Sequence, residues 1–325
     1  MESLGWFLAE KGLPVDRDRL IITTGSQQAI SMLARVFLDP GDRVLVENPC
    51  FIGALAAFKA CQAELTGMKM DHEGLVIEEL ERELFQPTLP KFLYITPAFH
   101  NPLGMLYSEQ RKAEIAKALA GTTVALIEDD AYGDLYFYED DKTRLRPIKG
   151  LSPEGVDVCY TGSFSKILGP GLRLGWLLAP KEIYEQCELS KQSLDACSSS
   201  FTQVLADEFI RSGLLSPYIE RVREEYRRRA FLMCNLLETE LPSEVSWQRP
   251  RGGFYIWLTL PGDVDATQVL QQSLERGVVF VVGKTFDPEG RRNHALRLSY
   301  CNAKPEEIER GVPVVAAAIR NMMNR

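Results

Sequence analysis

The sequence predicts an α/β fold: a three-layer α/β/α domain around a mostly parallel sheet, followed by a smaller α+β C-terminal domain. Three observations carry this. Apolar runs rich in Val, Ile and Leu alternate with helical patterns from residue 20 to about 200. Beyond about 200 the texture changes to one long charged helix and then mixed strands and helices. The 325 residues, 45% hydrophobic and 25% charged, have ordinary globular composition and suffice for one large or two medium domains. The expected division is 15–210 for the large domain and 211–325, with 1–14, for the small one.

Each element has a local reason. Segment 3–12 reads as the end of an amphipathic helix stopped by Gly12 and Pro14. Residues 20–24 are an apolar, β-branched strand, and Gly25-Ser26-Gln27 opens a helix to about residue 37. Asp39-Pro40-Gly41-Asp42 is a turn, 43–47 a strand and 52–60 a helix. Strands recur at 91–95, 123–127, 156–160 and 173–177, with a helical pattern at 108–120. A helix over 216–240, a strand over 252–258 and a helix over 266–276 follow. Strands at 278–282 and 296–300 and a helix at about 305–323 complete the chain. Within 216–240, Arg227-Arg228-Arg229 follow Glu224 and Glu225 and read as a solvated, ion-paired face.

Charge and composition exclude several classes. A net charge of −8 argues against nonspecific binding to nucleic acid or an acidic membrane surface. No run of about 18 apolar residues predicts a membrane span. The opening Met-Glu-Ser-Leu-Gly-Trp lacks the basic-then-apolar build of a signal peptide. Seven scattered cysteines, an odd number with no C-x-x-C, read mostly as buried free thiols and fit a reducing cytoplasm. His72, His100 and His294 lie at no metal-ligand spacing, so no metal site is expected.

The densest chemistry lies at 163–175, Ser-Phe-Ser-Lys-Ile-Leu-Gly-Pro-Gly-Leu-Arg-Leu-Gly. One lysine, Lys166, sits between hydroxyls and an arginine. Lysine forms imines with carbonyl compounds. Ser163, Ser165 and Arg173 make an anion site beside it. A carbonyl compound that also carries a phosphate is pyridoxal 5′-phosphate (PLP). Gly25-Ser26-Gln27 stands where a strand turns into a helix, whose free N–H groups suit a phosphate. Ser26 there equally suits an N-cap. Phe51, after Glu47-Asn48-Pro49, is either a stacking or a core aromatic. Asn101 precedes Pro102 as a turn starter or an amide donor, and His100 beside it has no assigned role. Asp129 and Asp130 end an apolar strand, where a carboxylate of a parallel sheet faces the ligand crevice, and Tyr132 follows. Strand alternation sets Arg297 and Ser299 on the face opposite Leu296 and Leu298. An arginine on that face can grip a carboxylate with two parallel hydrogen bonds.

Thr24-Gly25-Ser26-Gln27-Gln28, Glu47-Asn48-Pro49-Cys50-Phe51, Asn101-Pro102, Glu128-Asp129-Asp130-Ala131-Tyr132, the Lys166 segment and Leu296-Arg297-Leu298-Ser299 occur in this order. Together they resemble the class I/II, fold-type I PLP-dependent aminotransferases, from about residue 4 to the C-terminus. The likeness is greatest to the branch of 2-aminoadipate and kynurenine aminotransferases and aminotransferase-like domains of bacterial regulators. The resemblance implies that Lys166 carries PLP as an imine and acts as acid and base. It implies that Asp129 pairs with the pyridine nitrogen, that Asn101 and Tyr132 bind the ring oxygen O3′, and that Phe51 stacks on the ring. It assigns the phosphate to Ser26, Gln27, Ser163, Ser165 and Arg173, and the substrate α-carboxylate to Arg297, with Asn101 beside it.

The implied reaction moves an amino group from an L-amino acid to a 2-oxo acid by a ping-pong mechanism. The sequence leaves the donor open among acidic, aromatic and branched-chain amino acids. A PLP-binding amino-acid sensor with little turnover and a PLP lyase remain open alternatives on the same scaffold. A homodimer is implied, with no nucleic-acid or membrane partner, and Ser198-Ser199-Ser200 is a candidate for its interface. In the family, a segment ahead of the first helix carries a tyrosine that reaches the partner subunit's phosphate. This chain opens inside the helix that follows it, as a natural short form, a mis-called start or a fragment would; where the segment is truly missing, closure over substrate is expected to suffer more than PLP binding.

Overall fold

Alternation of side chains along each strand decides the layers. Val44, Val46, Phe92, Tyr94, Ala125 and Ile127 enter one core cluster, while Leu45, Leu93, Ile95 and Leu126 enter another. A sheet apolar on both faces needs cover on both, which gives the three layers.

The computed structural model describes residues 2–13, 15–153 and 155–324. Pro14, the second expected stop of the first helix, lies outside the described residues. The first half contains α1 (Glu2–Glu10), β1 (Leu20–Thr23), α2 (Ser26–Phe37), β2 (Arg43–Asn48), α3 (Ile52–Ala60), β3 (Glu64–Asp71) and β4 (Gly74–Leu75). There follow α4 (Ile77–Leu84), β5 (Phe92–Ile95), α5 (Glu109–Leu119), β6 (Ala125–Asp130), β7 (Val158–Ser163), β8 (Gly175–Leu178), α6 (Lys181–Leu194) and α7 (Ser200–Arg211). The remainder is α8 (Leu215–Glu240), β9 (Ser246–Trp247), β10 (Tyr255–Thr259), α9 (Ala266–Leu274), β11 (Val281–Val282), β12 (Ala295–Ser299) and α10 (Pro305–Met323). Among these, no helix is long and apolar enough to cross a membrane.

The large sheet has the order β1-β8-β7-β6-β5-β2-β3-β4. Strands β7, β6, β5, β2 and β3 run parallel, and β8 runs antiparallel between β7 and β1. The C-terminal ends of β1, β2, β5, β6 and β7 therefore share one edge with the start of β8. That edge is where open α/β sheets bind ligands. A second sheet, β11-β12-β10-β9, is wholly antiparallel and packs on α8, α9 and α10.

Some elements differ from expectation. The strand expected at 123–127 runs instead to Asp130, because Asp129 and Asp130 still pair with Thr161 and Gly162. The strand expected at 173–177 starts at Gly175, since Arg173 adopts a left-handed backbone with φ 50°. Strand 278–282 shrinks to Val281–Val282. Strand β3 and helices α4, α6 and α7 were not foreseen. Leu4, Leu8 and Leu13 pack with Leu20, Phe164 and Trp176 and with the start of α8, rather than in the cluster around the smaller sheet. The Arg227–Arg229 run is ion-paired along its helix to Glu224 and Glu225, as a solvated face requires.

Candidate active site

The shared sheet edge holds a cavity of about 320 Å³. Its lining includes Ser26, Gln27, Phe51, Asn101, Asp129, Tyr132, Ser163, Ser165, Lys166, Arg173 and Arg297, the whole set singled out in the sequence. Ten of these follow or end strands of the large sheet, or precede β8. Arg297 comes across the cavity from β12.

At one end Gly25 occupies the N-cap position of α2 with φ 83°, so Ser26 is the first helical residue and not the cap. A Cβ at Gly25 would come within 3.0 Å of Arg173 Nη2. Arg173 donates from Nη2 to the Thr24 carbonyl (3.1 Å) and from Nη1 to Ser165 Oγ (3.3 Å). Ser163 Oγ accepts from the Ser165 amide at 3.1 Å. Gln27 lines the same end, its side-chain amide donating to the Gly53 carbonyl at 2.8 Å. Free helix N–H groups, hydroxyls and a guanidinium together form an anion seat.

At the other end Asp129 lies buried at the tip of β6. Tyr94 donates to its Oδ2 at 2.7 Å, while Oδ1 is buried without a partner. Burial pushes the Asp129 carboxyl up to about 7; the Tyr94 hydrogen bond opposes the rise and the charge of Asp130 adds to it. Neighbouring Asp130 points to the opposite face, accepting from Tyr160 (2.6 Å) and the Gly133 amide (2.8 Å).

Between the ends stands Lys166, with Nζ 5.5 Å from the Phe254 ring and 5.9 Å from that of Tyr132. Burial lowers its pKa, and the cations of Arg173 and Arg297 lower it further. Tyr132 shares a hydrogen bond with Tyr255 at 3.2 Å. Arg297 donates from Nη1 to Asn101 Oδ1 at 2.7 Å and lies 4.0 Å over the Tyr255 ring.

Sequence reading missed Tyr94, Thr96, Tyr255 and Glu47. Tyr94 sits in, and Thr96 directly after, an apolar strand pattern that gives no sign of a polar duty. Tyr255, two residues after the Gly252-Gly253 pair, carried the better hint, since paired glycines let backbone approach a site closely. Three larger clefts, of about 580, 440 and 430 Å³, lie elsewhere. In that of about 580 Å³, Lys11 is tied to Asp134 at 2.7 Å and offers no free amine. Among the described residues no group of three or more His, Cys, Asp or Glu side chains could hold a metal ion.

This donor set fits PLP. An orphaned buried carboxylate oxygen suits a protonated pyridine nitrogen, the α2 seat suits a phosphate, and a lysine of lowered pKa lies between them. Comparison with known proteins agrees. The family model for aminotransferase class I and II matches residues 2–315. Aromatic-amino-acid aminotransferase 1 of Thermococcus litoralis is 33% identical over 98% of this chain and 77% of its own length. The structure of Pyrococcus horikoshii kynurenine aminotransferase, in complex with PMP, superposes with a TM-score of 0.93 at 34% identity, covering 98% of this chain and 79% of that one. That of Thermus thermophilus α-aminoadipate aminotransferase, complexed with N-(5′-phosphopyridoxyl)-L-leucine, gives 0.92 at 35%, covering 100% and 82%. With this match along nearly its whole length, the chain belongs to the class I and II aminotransferases and is a PLP-dependent transaminase of fold type I.

Proposed function

We propose that Lys166 is the lysine that holds PLP and moves the substrate proton, and that its neighbours divide the remaining tasks. Ser26, Ser163, Ser165 and Arg173, with the amides opening α2 and Gln27 beside them, hold the phosphate. Asp129 Oδ1 accepts the proton of the pyridine nitrogen, and Tyr94 keeps the carboxylate aimed. Phe51 covers the ring. Tyr132 and the amide of Asn101 donate to the ring oxygen. Arg297 grips the α-carboxylate. Bound in this way, PLP supplies an electrophilic carbonyl carbon and a ring that draws charge from the substrate's Cα.

Lys166 Nζ then removes the Cα proton and redelivers it, first as general base and then as general acid. Its lowered pKa supports this, because a larger neutral fraction accepts protons near neutral pH. Water would supply the oxygen of the departing 2-oxo acid, and the amino nitrogen, held on the cofactor, would pass to a second 2-oxo acid entering the same cavity. The observation that carries the reading is the convergence of Lys166, the unpaired Asp129 Oδ1 and Arg297 on one cavity. Borohydride reduction of the PLP-loaded protein followed by peptide mapping tests it. The label is expected on Lys166, and its appearance on another side chain refutes the assignment.

The finer setting is proposed too. Phe201, Val204 and Leu205 leave one side of α7 apolar and uncovered, at i, i+3, i+4 spacing, which supports a homodimer. Light scattering that reports a stable monomer would overturn this. Ser199 caps α7, so the serine run has a local duty besides any interface role. All seven cysteines are free, which supports a cytoplasmic setting. The two sheets with their helices are taken as two units, 15–210 and 211–325, and the contacts of Leu4 and Leu8 favour counting residues 1–14 with the larger.

A further inference from the structure

Directly behind Asn101 lies a buried acid–imidazole pair that takes no part in the roles above. Glu47, in β2, is fully enclosed. Its carboxylate accepts from the Thr96 amide (3.0 Å), from His100 Nε2 (2.9 Å) and from the Tyr107 hydroxyl (2.5 Å). The Leu103 amide points at His100 Nδ1 (3.3 Å), which makes Nε2 the ring's donor. His100 is fully enclosed as well. A carboxylate taken out of water is costly unless its hydrogen bonds are complete, and Thr96, His100 and Tyr107 supply three of them.

The same histidine closes the turn that carries Asn101. Its amide donates to the Met105 carbonyl (2.8 Å), and its carbonyl accepts from the Gly104 amide (2.6 Å). On one side the backbone of Phe99 is left-handed, with φ 51°, a conformation that a non-glycine residue holds only where its surroundings impose it. On the other, Gly104 has φ 69°, and a Cβ there would come within 2.6 Å of the Tyr255 carbonyl oxygen. The turn is thus clamped between β2 and the start of β10. What it presents is Asn101, whose Oδ1 takes Arg297 Nη1 at 2.7 Å, while Arg297 Nε is buried without a partner.

We propose that Glu47 and His100 are positioning residues for the substrate carboxylate. Their hydrogen bond locks the 100–105 turn, so that Asn101 holds the guanidinium of Arg297, borne on the other sheet, in its gripping orientation. This rests on the reading of Arg297 as the carboxylate anchor. A purely structural pair would affect stability and leave substrate affinity alone.

The test uses the PLP-loaded full chain and the amino donor that bleaches the cofactor absorbance most. The variants are His100→Ala, His100→Gln, Tyr107→Phe, Arg297→Lys and the double variant Arg297→Lys/His100→Ala. KM, kcat, the unfolding midpoint, PLP retention on gel filtration and the Kd of 2-oxoglutarate from the absorbance change are measured for each. His100→Ala is expected to raise KM and that Kd about tenfold, equivalent to about 1.4 kcal/mol, with kcat changed less and PLP retained. His100→Gln, whose amide can still donate to Glu47, recovers part of the loss. In the Arg297→Lys background, His100→Ala adds nothing further, because the group it aimed is gone.

If His100→Ala fails to fold, Tyr107→Phe carries the test through a smaller rise of about threefold. A KM within twofold of wild type alongside a lowered unfolding midpoint overturns the inference, as does an additive double variant. A KM unchanged in Arg297→Lys defeats the anchor reading itself. A rise there without one in His100→Ala, His100→Gln or Tyr107→Phe defeats only the positioning role.

Discussion

Replacing Asp129 by Asn should stabilise the cofactor-free protein and weaken the PLP-loaded one. Asp129 is buried with one oxygen unpaired, and burial lifts its pKa from the ordinary 3.8 to about 7. The sign follows from proton linkage. Between pH 3.8 and about 7 the folded protein keeps a proton here that the unfolded chain has released, so stability falls as pH rises through that window. A separation of about three pH units at about 1.4 kcal/mol each is about 4 kcal/mol, fully felt above pH of about 7. Asn carries no charge to bury and still accepts from Tyr94. Imperfect pairing of its NH₂ reduces the realised gain to roughly 1–3 kcal/mol, a few degrees in melting temperature for a chain of this size. With PLP bound the order reverses. Losing one partner of a buried charge pair costs about 3–5 kcal/mol, or about 10²–10⁴-fold in affinity. Thermal melts of both forms at pH 5.5 and 8.5 make the check. The reasoning fails if the cofactor-free Asn variant is the less stable at pH 8.5, or if its advantage does not grow between the two pH values.

The other predictions concern the lysine, the phosphate seat and the thiols. Lys166→Ala should lower transamination by at least about 10²–10⁴-fold and abolish the borohydride-fixed label, checked by single-turnover kinetics and mass spectrometry. Arg173→Ala should weaken PLP binding by about 10–100-fold while leaving phosphate-free pyridoxal almost unaffected, as titration of the two ligands would show. Gly25→Ala should weaken PLP in the same way, since its Cβ presses on Arg173 and its backbone has φ 83°. Burial holds the thiols of Cys159, Cys187 and Cys234 well above their ordinary value, so a thiol reagent at neutral pH should label exposed Cys197 first and reach those three only on unfolding.

Much of the site was legible because its residues lie at strand ends. A parallel strand delivers its last residues to one edge, so Ser26, Phe51, Asn101, Asp129 and Ser163 could be gathered before their contacts were known. The Lys166 segment added lysine, hydroxyls and arginine within eleven residues. What stayed hidden were polar groups inside apolar patterns. Tyr94 occupies a strand in which all four residues are buried, and only its hydroxyl, 2.7 Å from Asp129, reveals its task. His100 carried no assignment because its partner Glu47 lies 53 residues away.

By itself the amino-acid order determined the layered architecture, and it pointed to a lysine set beside a candidate anion seat. Each arises from spacing along one strand, turn or helix start, which local sterics impose on the chain. The tertiary structure decided which of two adjacent carboxylates serves the cavity. Asp129 and Asp130 point to opposite faces of β6, so pleating sends one to Tyr94 and the other to Tyr160 and the Gly133 amide. It also decided that Arg297, 196 residues from Asn101, meets it across two sheets. Pairings of that separation depend on how the sheets pack, and no local propensity encodes them.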